Sequence, residues 1–287
     1  MKKLFLFCIC CFTLLGCEDT NLHLATQAGK EAIQALTLSE EQVQRLSDRT
    51  AAHLDSRNTI ASPDNSYARR LQRLVSRHGQ VQGTTFEYQV YLSPKVNAFA
   101  LGDGTIRIYS GLMDMLNDQE LLFVLGHEMG HVLHEHVQEK MRLALAGSAL
   151  RKGIASQGNI VGDLARSALG AFVQKLINAQ FSQEEEKEAD DYGLHFMRSH
   201  GYDPAMAVSA LHKLASLGNG HSFLSSHPAP QERAERLQRQ LKNPEPEKEE
   251  KEPGLVRYIL DLARQAIVWV IQALGKIVDL ALRLAGS

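Results

Sequence analysis

The sequence predicts an α+β fold, mainly helical, with a small β-sheet and an amphipathic helix at its C-terminal end. Three observations carry this. Apolar residues recur at the helical period through most of the chain, most clearly over residues 121–136. Residues 86–92 and 105–109 alternate instead, as half-buried strands do. A charged, proline-bearing stretch, residues 242–253, then separates a last helical pattern from everything before it.

The elements follow in order. Residues 1–16 open with Lys2 and Lys3 and continue as a short apolar run, a secretory signal rather than a membrane span. Leu14-Leu15-Gly16-Cys17 resembles a bacterial lipobox, with cleavage before Cys17 and lipid on its thiol. Cys8, Cys10, Cys11 and Cys17 are the only cysteines, so the mature chain keeps Cys17 alone and forms no internal disulfide. Each buried acyl methylene contributes about 0.8 kcal/mol, so several chains anchor firmly. Glu18, next to the lipidated residue, favours the outer membrane over the inner. The net charge of −2 gives no reason to expect nucleic acid.

Residues 21–80 read as helices. Ser39 and Gln42 form a capping box ahead of Val43 and Leu46. Ser62-Pro63 starts a further helix carrying Tyr67, Leu71, Leu74 and Val75. Residues 79–85 are loop. Gly102-Asp103-Gly104 makes a hairpin turn between residues 97–100 and the strand at 105–109. Residues 141–180, rich in Ala, Leu and Gly, form two helices that cover a site or act as a lid. Arg151, Lys152, Asp163, Arg166 and Lys175 interrupt them, leaving no 18-residue apolar run. Residues 201–204 turn, and 205–217 form a helix. Beyond the linker, residues 254–287 carry a narrow polar stripe of Arg257, Asp261, Arg264, Gln272, Lys276, Asp279 and Arg283. The wide apolar remainder, with Trp269, needs a membrane surface, a second copy or the rest of the chain to cover it. The first two are the favoured readings. The expected division is therefore 1–16, 17–241, 242–253 and 254–287.

The chemistry sits in the 121–136 helix. His127, Glu128 and His131 spell H-E-x-x-H within Leu121, Leu122, Val124, Leu125, Met129, Val132 and Leu133. Residues four apart lie one above the other, so both imidazoles can share one metal ion. Glu128 between them is placed to act as general base on a water activated there. Gly126 and Gly130 leave room for close packing or a substrate. Catalytic zinc takes three protein ligands. The third does not follow at H-E-x-x-H-x-x-G-x-x-H spacing, because position 137 is Val. His134 and His136 read as outer or packing residues on the same helix. The better third ligand is Glu186, on a second helix, with Asp190 four residues on and on the same face. Asp190 accepts from the far nitrogen of a ligating His and fixes its tautomer.

Four segments now resemble one family in order. They are Asn97–Leu112, the His127 helix, Ser182–Gly193 with its E-x-E-A-D core, and Ser226-His227-Pro228 with Arg233. Together they resemble the zinc metalloendopeptidases related to HtpX and the CAAX prenyl protease (gluzincin type), in their soluble bacterial lipoprotein branch. Gln183 departs from it, standing where the family has Arg. The resemblance implies a zincin-like metalloprotease domain with one Zn2+ per chain. It also implies that the edge strand Asn97, Ala98, Phe99 and Ala100 receives an extended substrate, with a plain core strand as the alternative. For His227 it leaves three roles: oxyanion stabiliser, fourth ligand that keeps the enzyme latent, or structural His paired with an acid. Arg233 anchors that loop on a carboxylate. The implied substrates are misfolded or misassembled envelope proteins, on the periplasmic side. Two other classes fit the same residues: a non-catalytic chaperone or assembly factor, and a membrane scaffold led by residues 254–287. Retention of Glu128 favours the enzyme.

Overall fold

The computed structural model describes residues 38–155, 166–218 and 222–243. The expected signal segment, Cys17, most of the linker and the 254–287 helix lie outside the described residues.

Helix α1 (Glu40–Asp55) begins as its sequence requires. Ser39 and Gln42 each bond the other's backbone N–H, and Val43, Leu46 and Leu54 face inward. Helix α2 (Ser66–Val75) starts three residues later than Ser62-Pro63 implies. The cap is Asn65, whose side chain accepts from the Tyr67 N–H. The Ser62 hydroxyl is already committed to Asp64 at 2.5 Å. Residues 79–85 are not plain loop: β1 (Gln80–Val81) and β2 (Thr84–Thr85) pair as a short antiparallel hairpin. Gln82 and Gly83, at φ 49° and 82°, supply the left-handed turn such hairpins need.

The main sheet holds β3 (Glu87–Tyr91), β4 (Ala98–Ala100) and β5 (Thr105–Tyr109) in the order β3-β5-β4. β3 runs parallel to β5, with Glu87 opposite Thr105. β4 folds back antiparallel through the expected hairpin, with Ala98 opposite Ile108, so it forms an edge. Every residue of β5 is buried. Arg107 is among them because Asp55, at the end of α1, receives its Nε and Nη2 at 3.1 Å each.

Helix α3 (Ser110–Met115) leads into α4 (Asp118–Leu133), which is buried almost all round. Such a helix belongs at the centre of a domain. Its start is fixed by a second capping box, Asn117 with Glu120. Glu120 is buried there because Ser209 and Lys213 of α8 (Ala205–Ala215) hold its carboxylate at 2.6 and 2.7 Å. The predicted continuous helix over 121–136 is overturned. α4 ends at Leu133, Glu135 takes φ 60°, and α5 (His136–Ala155) begins afresh. His134 and His136 are therefore not on one helix. α5 and α6 (Arg166–Asn178) are the two helices expected in this region, and they pack together. No helix of the described residues is long and apolar enough to cross a membrane.

Helix α7 (Gln183–Ser199) crosses α4 at a seam of small residues. A Cβ added at Gly126 would lie 2.9 Å from the Phe196 ring, and one at Gly130 would lie 3.1 Å from the Ala189 Cα. Only glycine permits that approach, and it brings the carboxylates of α7 up to the histidines of α4. Helices α9 (Ser222–Ser226) and α10 (Pro230–Lys242) close the domain, α10 against α8. The result is a mainly helical, zincin-like domain with a small sheet, as the sequence predicts.

Candidate metal centre

His127 and His131 project from one face of α4, with their Nε2 atoms 3.1 Å apart. On α7 a capping box between Ser182 and Glu185 fixes the first turn. Glu184 pairs outward with Lys187, while Glu186 and Asp190 turn inward and are buried. Glu186 places Oε1 3.4 Å from His131 Nε2 and Oε2 3.7 Å from His127 Nε2. His227 arrives between α9 and α10, its ring stacked on Phe223 at 4.5 Å. Its Nδ1 lies 2.8 Å from Glu186 Oε1 and 3.2 Å from His127 Nε2. His127, His131, Glu186 and His227 thus offer four ligand atoms within 4.8 Å of one another, all on buried residues.

The outer atoms decide what the inner ones carry. His127 Nδ1 faces Asp190 Oδ1 at 3.0 Å, so it holds the ring proton and leaves a lone pair at Nε2. Arg233 grips Asp190 with two hydrogen bonds, Nε to Oδ2 at 2.9 Å and Nη2 to Oδ1 at 2.6 Å. It also pairs with Glu186. Burial would raise both carboxyls. For Asp190 the Arg233 charge and hydrogen bonds, with help from His127, win and hold it at about 2. For Glu186 the Arg233 charge, followed by the pull of the neighbouring His227 and His131, holds it well below the ordinary range. Burial keeps the His131 ring neutral, pressing its pKa well down against the pull of Glu186.

The lone pair at His127 Nε2, two further imidazole nitrogens and a carboxylate therefore converge on one buried point, an arrangement that calls for a cation. Zinc bonds of 2.0–2.1 Å in a tetrahedron separate their ligand atoms by about 3.3 Å. Three of the separations among these atoms, 3.1, 3.2 and 3.4 Å, lie close to that spacing, while His227 Nδ1 and Glu186 Oε1 stand closer, at 2.8 Å. Glu128 Oε1 is buried without a hydrogen-bond partner, 3.5 Å from His227 Nε2. That leaves a buried acceptor on the metal helix beside His227. The donor set fits zinc.

β4, with Ala98, Phe99 and Ala100, is the sheet edge that packs near α4. Asn97, just before it, accepts the Tyr109 N–H on its carbonyl and has a buried Oδ1 without a partner. Gln183 is exposed on the first turn of α7. Some neighbours carry no signal in the sequence. Phe181 stacks on His131 at 3.8 Å, and the Lys140 ammonium sits 3.8 Å from the Phe181 centroid. Burial lowers Lys140 to about 8, against the pull of Glu128, Glu186 and Glu185. The reach of Arg233 into the cluster also exceeds the loop anchor read from its sequence.

A sequence model described as peptidase family M48 matches residues 61–241. The metalloprotease LoiP of Escherichia coli K12 is 44% identical over 227 residues, 78% of this chain and 90% of that protein. The metalloprotease YcaL of the same strain is 36% identical over 230 residues, 78% of this chain and 91% of its own length. The beta-barrel assembly-enhancing protease of Yersinia pestis is 30% identical over 241 residues, which span 77% of this chain and 47% of that protein.

Proposed function

The chain belongs to peptidase family M48 and is a zinc metalloendopeptidase; from that premise we propose that it works tethered to a bacterial envelope membrane and cleaves misfolded or misassembled envelope proteins. The observation that carries the catalytic assignment is the buried convergence of His127, His131 and Glu186 beside Glu128, whose Oε1 makes no hydrogen bond among the described residues. In this reading those three residues hold the zinc. Zinc supplies Lewis acidity, which brings the pKa of water toward about 7 and polarises a carbonyl. Glu128 Oε1 takes the proton of the attacking water and returns it to the leaving amide nitrogen. Asp190, braced by Arg233, keeps the proton of His127 on Nδ1. The edge strand Asn97–Ala100 receives the substrate main chain in extended form, strand against strand. Burial of the cluster keeps bulk water from competing for it.

His227 is the residue with two active readings. Its Nδ1 lies among the ligand atoms, which supports a fourth ligand that holds the enzyme latent rather than an oxyanion donor. The envelope assignment rests on the basic and apolar start, the lipobox-like Leu14–Cys17 and the name of the Yersinia pestis relative. The lipoprotein branch, the outer membrane, the four-part domain division and membrane or self-association by residues 254–287 belong to the same proposal.

The test is cleavage of an unfolded protein by the full chain, with and without chelator, beside Glu128→Gln. Wild type is expected to cleave only with zinc, and the variant to lose at least about 100-fold in rate while still binding zinc. His227→Ala is expected to raise the rate if the residue enforces latency and to lower it if the residue stabilises the oxyanion. A folded, zinc-loaded His227→Ala chain without cleavage would favour a binding function instead.

A further inference from the structure

His127 has a carboxylate at its outer nitrogen, but among the described residues His131 has none there. Its Nδ1 meets another imidazole: His136 Nδ1, 3.1 Å away, with the rings edge to face at 5.2 Å. His136 Nε2 in turn lies 2.8 Å from Glu188 Oε2. We propose that His136 and Glu188 are positioning residues that form a one-way hydrogen-bond relay, locking His131 in the tautomer that turns a lone pair toward the zinc. This rests on the reading of His131 as a ligand through Nε2.

The direction of the relay is forced. If His131 Nε2 presents a lone pair to the cluster, its neutral ring carries the proton on Nδ1. His136 Nδ1 must then accept, because two N–H groups cannot face each other at 3.1 Å. The proton of His136 consequently sits on Nε2 and donates to Glu188. Both imidazoles are buried, whereas the Glu188 side chain is 44% exposed. The relay therefore links a buried ligand to a carboxylate that reaches solvent, as Asp190 links His127 to Arg233.

The backbone is shaped for this contact. On an uninterrupted helix, His136 would stand about 140° around the axis from His131 and could not meet it. The helix instead breaks at His134. Glu135, not a glycine, takes φ 60°, and His136 returns beneath His131 as α5 begins. Non-glycine residues enter that conformation when surrounding contacts demand it. Stacking of His134 on His136 at 5.6 Å backs the ring from the other side.

A packing role and a relay role rank two substitutions in opposite order. His136→Phe keeps the ring but removes the acceptor. His136→Asn loses volume but places its amide oxygen where Nδ1 stood. Zinc affinity of the full chain, purified in detergent, is read by competition with a chromophoric chelator, and folding by circular dichroism in excess chelator. The relay predicts that His136→Phe weakens zinc by about 10- to 100-fold. It predicts that His136→Asn stays within about 3-fold and that Glu188→Ala loses about 3- to 10-fold. In 15N-histidine spectra of the zinc-loaded wild type, His136 carries its proton on Nε2. If His136→Phe does not fold, the spectrum and Glu188→Ala decide alone. Phe binding as tightly as wild type while Asn fails would overturn the relay, as would a His136 proton on Nδ1. A folded wild type that binds no zinc would instead overturn the ligand reading on which the relay stands.

Discussion

Asp190 shows how one residue ties the site to the fold. It is fully buried, and its charge is balanced by Arg233 and used by His127. Asp190→Asn keeps the shape and an acceptor for the His127 Nδ1–H but removes the charge. Arg233 is then left buried with Glu186 as its remaining acid, and breaking such a pair from one side costs about 3 kcal/mol. Chemical denaturation of the zinc-free chain is expected to show that loss, and chelator competition a zinc affinity lower by about 10-fold or more. The residue types of the site are legible in the sequence because helical spacing alone puts His127 over His131 and Glu186 over Asp190. Arg233 and His136 are legible only in kind, as a carboxylate partner and an outer or packing residue; the particular atoms they meet are not, because each reaches the site from a different element, across a turn that no periodicity encodes.

At the scale of elements, the crossing of α4 and α7 does the assembly. Gly126 and Gly130 are visible in the sequence as small residues within an apolar helix, but the partner that fills the space is not. Gly130→Leu would drive a side chain toward the Tyr192 Cβ and Ala189 Cα, which stand only 3.0 and 3.1 Å from an added Cβ. Overpacking of this kind costs about 2 kcal/mol. Thermal unfolding is expected to report it, and zinc binding is expected to weaken as Glu186 is pushed from the histidines. The start of α4 was less legible than that of α1, since Asn117-Asp118-Gln119-Glu120 caps the helix with a Glu that is also held by α8. The end of α4 was illegible. Neither glycine nor proline marks the break, and only the observed φ of Glu135 reveals it.

For the whole molecule, the carboxylates of the metal centre are not the only acid-sensitive groups: a second cluster ties α1 to the sheet. Asp55 receives Arg107 from β5 and the Tyr91 hydroxyl from β3, at 2.5 Å for the latter. Burial would raise the Asp55 carboxyl, but hydrogen bonds from Arg107 and Tyr91 and the Arg107 charge hold it below its ordinary 3.8. A depressed folded-state pKa stabilises fully above the unfolded value. That contribution disappears as pH falls through 3.8 toward the folded value. Asp55→Asn should therefore lower stability at neutral pH by about 2 kcal/mol and flatten its decline below about pH 4, read by denaturant unfolding across pH. Arg107 in an alternating strand reads as solvent-facing. Only the tertiary return of α1, which no local pattern announces, makes it a buried residue. The small sheet and the helical majority were legible because their periods differ. The parallel pairing of β3 with β5 was not, since it depends on where β4 folds back.

The account stands on one metal ion at one place, so zinc stoichiometry is the direct measurement. Metal analysis of the folded full chain after dialysis against limiting zinc is predicted to give one zinc per chain. Glu186→Ala and His131→Ala are each predicted to lose it, with helical content retained. Zinc held undiminished by both variants, or absent from a folded wild type, would contradict the assignment of His127, His131 and Glu186 as its ligands.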